Sequence, residues 1–143
     1  QGCYLASKEE QDALTNVVLA GGKLNRKCVG RDAKTLLGMI GVTVPDNIRC
    51  ITFEGPKEHP LIATELMMPI LGVVRAKDFD DAVEQAVWLE HGNRHSAHIH
   101  SKNVDRITKY AKAIDTAILV KNGPSYAALG FGGEGLCTFT IDS

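Results

Sequence analysis

The sequence predicts an α/β fold in three layers, a mostly parallel sheet with helices on both faces. Strand-like and helix-like runs alternate three times, with crossover helices of about 10–13 residues, as βαβ units require. The run Ile70-Leu71-Gly72-Val73-Val74 is short and continuously apolar, like a strand covered on both sides. The 143 residues, 44% hydrophobic and 23% charged, have the composition of one globular domain, so residues 1–143 are read as a single unit. At this length folding buries roughly two thirds of the unfolded surface, enough for a core without metal or disulfide support.

The elements follow in order. Ser7-Lys8-Glu9-Glu10 is a capping box opening a helix with Leu14, Val17 and Val18 on one face, stopped by Gly21-Gly22. Residues 22–30 are polar and basic and read as a loop. Asp32 caps a short helix with Ala33, Leu36, Leu37 and Ile40 inward, closed by Gly41. After the turn Pro45-Asp46-Asn47, residues 48–53 alternate as a half-buried strand does, with Cys50 read as core packing. A proline-containing loop leads to the apolar stretch 61–68, which carries one acid, Glu65, and then to the strand at Ile70. Asp78 caps a helix striped by Phe79, Ala82, Val83, Ala86 and Val87, with Gly92 at its stop. Residues 96–100 form a strand; Asn103 caps a helix with Val104, Ile107, Ala111 and Ile114 inward; residues 117–120 and 136–141 are further strands.

Composition removes several classes of function. Sixteen basic against seventeen acidic residues leave a formal charge of -1, so no broad field favours nucleic acid or anionic lipid. No apolar run approaches the roughly 20 residues that span a bilayer. Cys3, Cys28, Cys50 and Cys137 are widely spaced with no CxxC and read as reduced thiols of a cytoplasmic protein.

Candidate chemistry is sparse. Gly130-Phe131-Gly132-Gly133-Glu134-Gly135 matches GxGxxG, but a strand follows where a dinucleotide-binding helix would open, so it reads as a glycine loop able to lie close to a ligand. His95, His98 and His100 could supply three nitrogens to zinc, yet no Cys or HExxH-type Glu accompanies them, and satisfied or solvated imidazoles are the simpler reading. Cys28, near Arg26, Lys27 and Arg31, is the best placed thiol for activation, although a solvated basic loop explains it equally simply. Glu65 sits among Leu66, Met67, Met68 and Pro69, where a carboxylate needs either exposure or a task. Lys102, Arg106, Lys109 and Lys112 recur at helical spacing as a solvated face.

Several stretches in order resemble the CoA-acylating branch of the aldehyde dehydrogenase superfamily, the acetaldehyde and propionaldehyde dehydrogenases of ethanolamine and propanediol utilisation. They are Cys28-Val29-Gly30-Arg31-Asp32-Ala33, His59-Pro60, Thr64-Glu65-Leu66-Met67-Met68-Pro69, Glu90-His91-Gly92-Asn93-Arg94-His95, His100-Ser101-Lys102-Asn103, Val120-Lys121-Asn122-Gly123-Pro124-Ser125-Tyr126-Ala127 and the glycine loop. The resemblance implies the catalytic-domain fold of that superfamily. It also implies oxidation of a small aldehyde to acyl-CoA, with NAD as hydride acceptor and coenzyme A as co-substrate, by a homo-oligomer in the cytoplasm or a bacterial microcompartment.

By the same resemblance Glu65 falls on the acid that hydrogen-bonds the nicotinamide ribose, and Met67 on an aromatic residue that packs near the nicotinamide. Gly123, Pro124, Ser125 and Tyr126 fall on the wall of the aldehyde tunnel. The family's nucleophilic cysteine and dinucleotide-binding domain match nothing here, so the chain is expected to be the later part of a catalytic domain, inactive by itself, with no catalytic residue and no metal ligand. Two other readings remain: a stand-alone α/β interaction or oligomerisation module, and a metal-binding domain built on the histidine cluster.

Overall fold

Ser7 opens the first helix as its sequence requires. Its Oγ accepts from the Glu10 N–H at 3.3 Å, and the Glu10 carboxylate accepts the Ser7 N–H at 2.7 Å. The computed structural model describes residues 2–129, so the glycine loop 130–135, Cys137 and the strand expected at 136–141 lie outside the described residues. Two compact units divide the chain, Gln1–Arg75 and Ala76–Ser143.

The first unit contains β1 (Cys3–Leu5), α1 (Lys8–Val18), α2 (Ala33–Met39), β2 (Cys50–Glu54), α3 (Pro60–Ala63) and β3 (Ile70–Val73). Its strands lie in the order β1-β2-β3, both pairs parallel. Tyr4, Ile51 and Ile70 stand opposite one another across the sheet, and Ile51 and Phe53 point into a core shared with Leu14, Val18, Leu36, Leu37, Leu61 and Leu66. Asp32 caps α2 by accepting from the Thr35 N–H at 2.6 Å, and Ala33, Leu36 and Leu37 are fully buried on one face.

The phase of β2 corrects one expectation. Ile51 and Phe53 take the core face, so Cys50, one residue out of step, falls on the opposite face and is half-buried rather than core. That second face also carries Leu5, Leu71 and Val73, all exposed. The strand β1, three residues long, is too short to leave an alternation in the sequence. Cys28 corrects another expectation. It is fully enclosed, its Sγ 3.8 Å from the Val17 carbonyl and 3.9 Å from Met39 Sδ, because Asn25 folds the loop inward by bonding the Val17 and Val18 carbonyls.

The second unit contains α4 (Phe79–Glu90), β4 (Ser96–Ile99), α5 (Val104–Ile114) and the parallel partner β5 (Ile118–Lys121). Asp78 and Asn103 cap the helices as expected, accepting from Asp81 N–H at 2.9 Å and Arg106 N–H at 3.0 Å. The α4 stop uses His91 in the left-handed region, φ 57°, immediately before Gly92. The core is Val83, Ala97, Ile99, Tyr110 and Ile114, with Phe79, Ala86, Ile107 and Leu119 against it. Ala82, Val87, Val104 and Ala111, expected inside, are exposed. On α5 the buried face is rotated because Tyr110 supplies the large apolar body at its centre. No helix among the described residues is long and apolar enough to cross a membrane.

Candidate functional site

The segment 59–69 carries Glu65 and Met67, and its course is set by local chemistry at each end. His59 caps α3 with Nδ1, which accepts the Leu61 N–H at 3.2 Å, and Pro60 occupies the first helical position, where no N–H is needed. The His59 ring lies 4.8 Å from that of Phe53. Burial pushes its pKa below the ordinary histidine value and the Lys8 charge adds to this, opposed by Asp12. Both the cap and the shift favour a neutral ring with its proton on Nε2.

Two core leucines then clamp the segment. Leu61 and Leu66 are buried, and Ile62 packs so closely over β3 that a Cβ on Gly72 would stand 2.2 Å from Ile62 Cγ1. That approach is why glycine occupies the middle of the strand. Burial of Leu66 turns its neighbours outward, leaving Glu65 exposed and Met67 69% exposed. Met67 adopts φ 51°, an uncommon conformation for a residue with a side chain, and its carbonyl accepts the Gly30 N–H at 3.1 Å. Pro69 O accepts from Ile51 N–H at 2.8 Å, closing the segment onto β2. The motif around Gly30 thereby acquires a physical role. Cys28 anchors the loop in the core, Gly30 at φ 71° presents its N–H to Met67, and Asp32 starts α2. Sequence reasoning found the motif but not this bond, which joins positions 37 residues apart.

The second candidate segment leaves β5 at its carboxyl end, the edge of a parallel sheet where α/β proteins bind ligands. Asn122 adopts φ 54°, its N–H donates to Ile99 O at 2.9 Å, and its side chain brackets Ser101. Oδ1 accepts the Ser101 N–H and Nδ2 donates to the Ser101 carbonyl, both at 2.8 Å. Gly123 is half-buried against Val120 and Ala127; Pro124 and Ser125 are exposed; Tyr126 is 59% exposed on the 3-10 turn Ser125–Leu129. The sequence signal for Asn122 is modest: an Asn just past a strand is one of the few residues that tolerate the left-handed region.

The histidines do not converge. His98 and His100 are exposed along one side of β4 and its exit, while His95 Nδ1 lies 2.7 Å from Ser96 Oγ. Among the described residues no group of three or more His, Cys, Asp and Glu side chains is placed to hold a metal ion. The basic face of α5 is solvated, with Lys109 paired to Asp80 at 2.7 Å and Arg106 over the Phe79 ring at 5.4 Å. Glu54, exposed at the end of β2, forms a two-pronged pair with Arg75 at 2.7 and 2.9 Å.

The glycine-fitted, leucine-clamped segment, with Glu65 and Met67 exposed on either side of buried Leu66, lies inside residues 47–140, which match the aldehyde dehydrogenase family. The chain belongs to the aldehyde dehydrogenase family. It is 49% identical over 120 residues to the acetaldehyde dehydrogenase (acetylating) EutE of Salmonella typhimurium, covering 84% of this chain and 26% of that protein. A propionaldehyde dehydrogenase from the Clostridium phytofermentans fucose utilisation bacterial microcompartment superposes with a TM-score of 0.95 at 79% identity, over 99% of this chain and 33% of that one. The Rhodopseudomonas palustris propionaldehyde dehydrogenase, solved with bound CoA and an acylated cysteine, gives 0.93 at 50% identity, over 99% and 33%. The chain therefore spans about a third or less of the length of these relatives. The parallel α/β architecture agrees with the predicted fold class.

Proposed function

We propose that residues 1–143 form the later part of the catalytic domain of a CoA-acylating aldehyde dehydrogenase that converts a small aldehyde, CoA and NAD to acyl-CoA and NADH. The observation that carries this reading is the agreement between the clamped 59–69 segment and close relatives of that activity over nearly the whole chain. The enzyme is read as a homo-oligomer of the cytoplasm, housed in or beside a microcompartment like that of its Clostridium phytofermentans relative.

The residues present suit a nicotinamide dinucleotide. Glu65 offers an exposed carboxylate that accepts hydrogen bonds from ribose hydroxyls, and Met67 offers an exposed thioether for packing against a flat ring. The cofactor supplies hydride acceptance. Leu66, Gly30 and Gly72 hold the backbone of the segment, so Glu65 and Met67 meet the cofactor from a fixed frame and little ordering is left for the moment of binding. Gly123 to Tyr126, bracketed by Asn122, wall the aldehyde and acyl side. Among the described thiols Cys28 is enclosed and burial raises the Cys50 pKa, so neither of these is suited to attack an aldehyde.

Two measurements test this. The 143-residue chain alone is expected to produce no NADH from aldehyde, NAD and CoA, and turnover would sink that part. A hybrid in which the chain replaces the matching third of the Clostridium phytofermentans enzyme should restore CoA-dependent turnover and prefer NAD to NADP. In that hybrid Glu65→Gln should lower kcat by about tenfold to a hundredfold through misplacement of the nicotinamide. An active hybrid indifferent to Glu65→Gln would remove the ribose role.

A further inference from the structure

We propose that Cys3 and Cys50 form a dithiol site that a low-molecular-weight disulfide, such as oxidised glutathione, closes to an intrachain disulfide joining β1 to β2. The two residues are direct partners in a parallel pair, so their side chains leave the same face of the sheet. Neighbouring strands run about 4.8 Å apart, inside the Cα separation of about 4.4–6.8 Å that disulfides adopt. Both lie on the face away from Ile51 and Phe53, so closing the bond disturbs no core packing.

Position assigns the order of events. Cys3 is exposed, on a three-residue strand at the sheet's edge, whereas Cys50 is half-buried on the central strand. The Cys3 thiolate attacks one sulfur of the reagent, the S–S bond breaks, and one thiolate leaves. Cys50 then gives up its proton and attacks the Cys3 sulfur, expelling the second thiolate. The protein loses two electrons and two protons, and the reagent is reduced to two thiols. Burial first, and then the neighbouring Cys3, raise the Cys50 thiol, which leaves the first attack to Cys3; capping Cys3 removes its opposing charge. Among the described residues the ladder of β1 involves only β2. This site is independent of the enzymatic reading.

The test is oxidation of the folded 143-residue chain with glutathione disulfide, an acid quench, alkylation and peptide mapping by mass spectrometry. One reversible cross-link between the Cys3 and Cys50 peptides is expected, with Cys28 alkylated only after denaturation. In Cys50→Ser, Cys3 should stop as a stable mixed disulfide with glutathione, and in the exposed-site variant Cys3→Ser, Cys50 should react far more slowly. Oxidation should also slow amide exchange at Tyr4 and Ala6 by about tenfold, as a fraying edge becomes tied. The proposal is overturned if Cys3 and Cys50 of the unaltered chain each end with their own glutathione. Inertness of both thiols overturns it equally, as does a link from either of them to Cys28 or Cys137.

Discussion

The two candidate segments are held by opposite means. Residues 59–69 are pinned by packing: two buried leucines, an isoleucine seated on a glycine, and one backbone bond from Gly30. Residues 122–126 are held mainly by polar bonds of Asn122, whose side chain bonds both backbone groups of Ser101 and whose N–H donates to Ile99 O. A packed clamp loses a large amount when one apolar side chain is cut, because its energy is concentrated in buried volume. A polar bracket on the surface loses less, because water replaces part of every bond it gives up.

Leu66→Ala tests the clamp most severely. Removing a side chain that is only 6% exposed should cost about 2–5 kcal/mol in urea unfolding of the first unit, read by amide exchange at Ile51. If the loss is under about 1 kcal/mol, the segment is not held by Leu66 and the comparison fails. Gly72→Ala attacks the same clamp from below. The new methyl meets Ile62 at 2.2 Å, and the strain of moving it should cost about 1–3 kcal/mol. An Ile62→Ala partner change should recover part of that loss, since the two positions share one space.

Asn122 is expected to cost less. Asn122→Ala should lose about 1–2 kcal/mol, read by amide exchange at Ile99, from two solvent-facing bonds and from an alanine held at a left-handed φ. Asn122→Gly separates the parts. It removes the same bonds without backbone strain, so it should be the milder change, and a glycine variant as harmful as alanine would show that conformation contributes nothing at this position.

What the sequence made legible divides along similar lines. Four helix caps, Ser7, Asp32, Asp78 and Asn103, are readable because donor and acceptor lie three residues apart. The exposed Glu65 and the loop at Gly123 were readable as family motifs. The Gly30 to Met67 bond, the seat of Ile62 on Gly72 and the strand β1 were not, since each depends on a partner distant along the chain. The misplaced phase of Cys50 has the same origin. Alternation names two faces, and only the packing of Ile51 and Phe53 against the helices says which face is inside.

The smallest expected effect concerns pH, and it separates the two segments by chemistry rather than by size. His59 caps the clamped segment through an unprotonated Nδ1, and its folded pKa lies below its ordinary value, chiefly through burial. The unfolded chain therefore takes up a proton before the folded one does. Stability contributed by the neutral ring is fully present above the ordinary histidine pKa of about 6.5 and is lost as pH falls below it. His59→Asn offers a neutral cap and should flatten this dependence in the first unit. Amide exchange at Ile51 should therefore rise between about pH 7 and 5 in the parent chain and stay level in the variant, once corrected for intrinsic exchange. An unchanged slope in His59→Asn would assign the acid sensitivity to other groups and leave the cap without a titrating role. The Asn122 bracket is built from a side-chain amide and the Ser101 backbone, neither of which titrates.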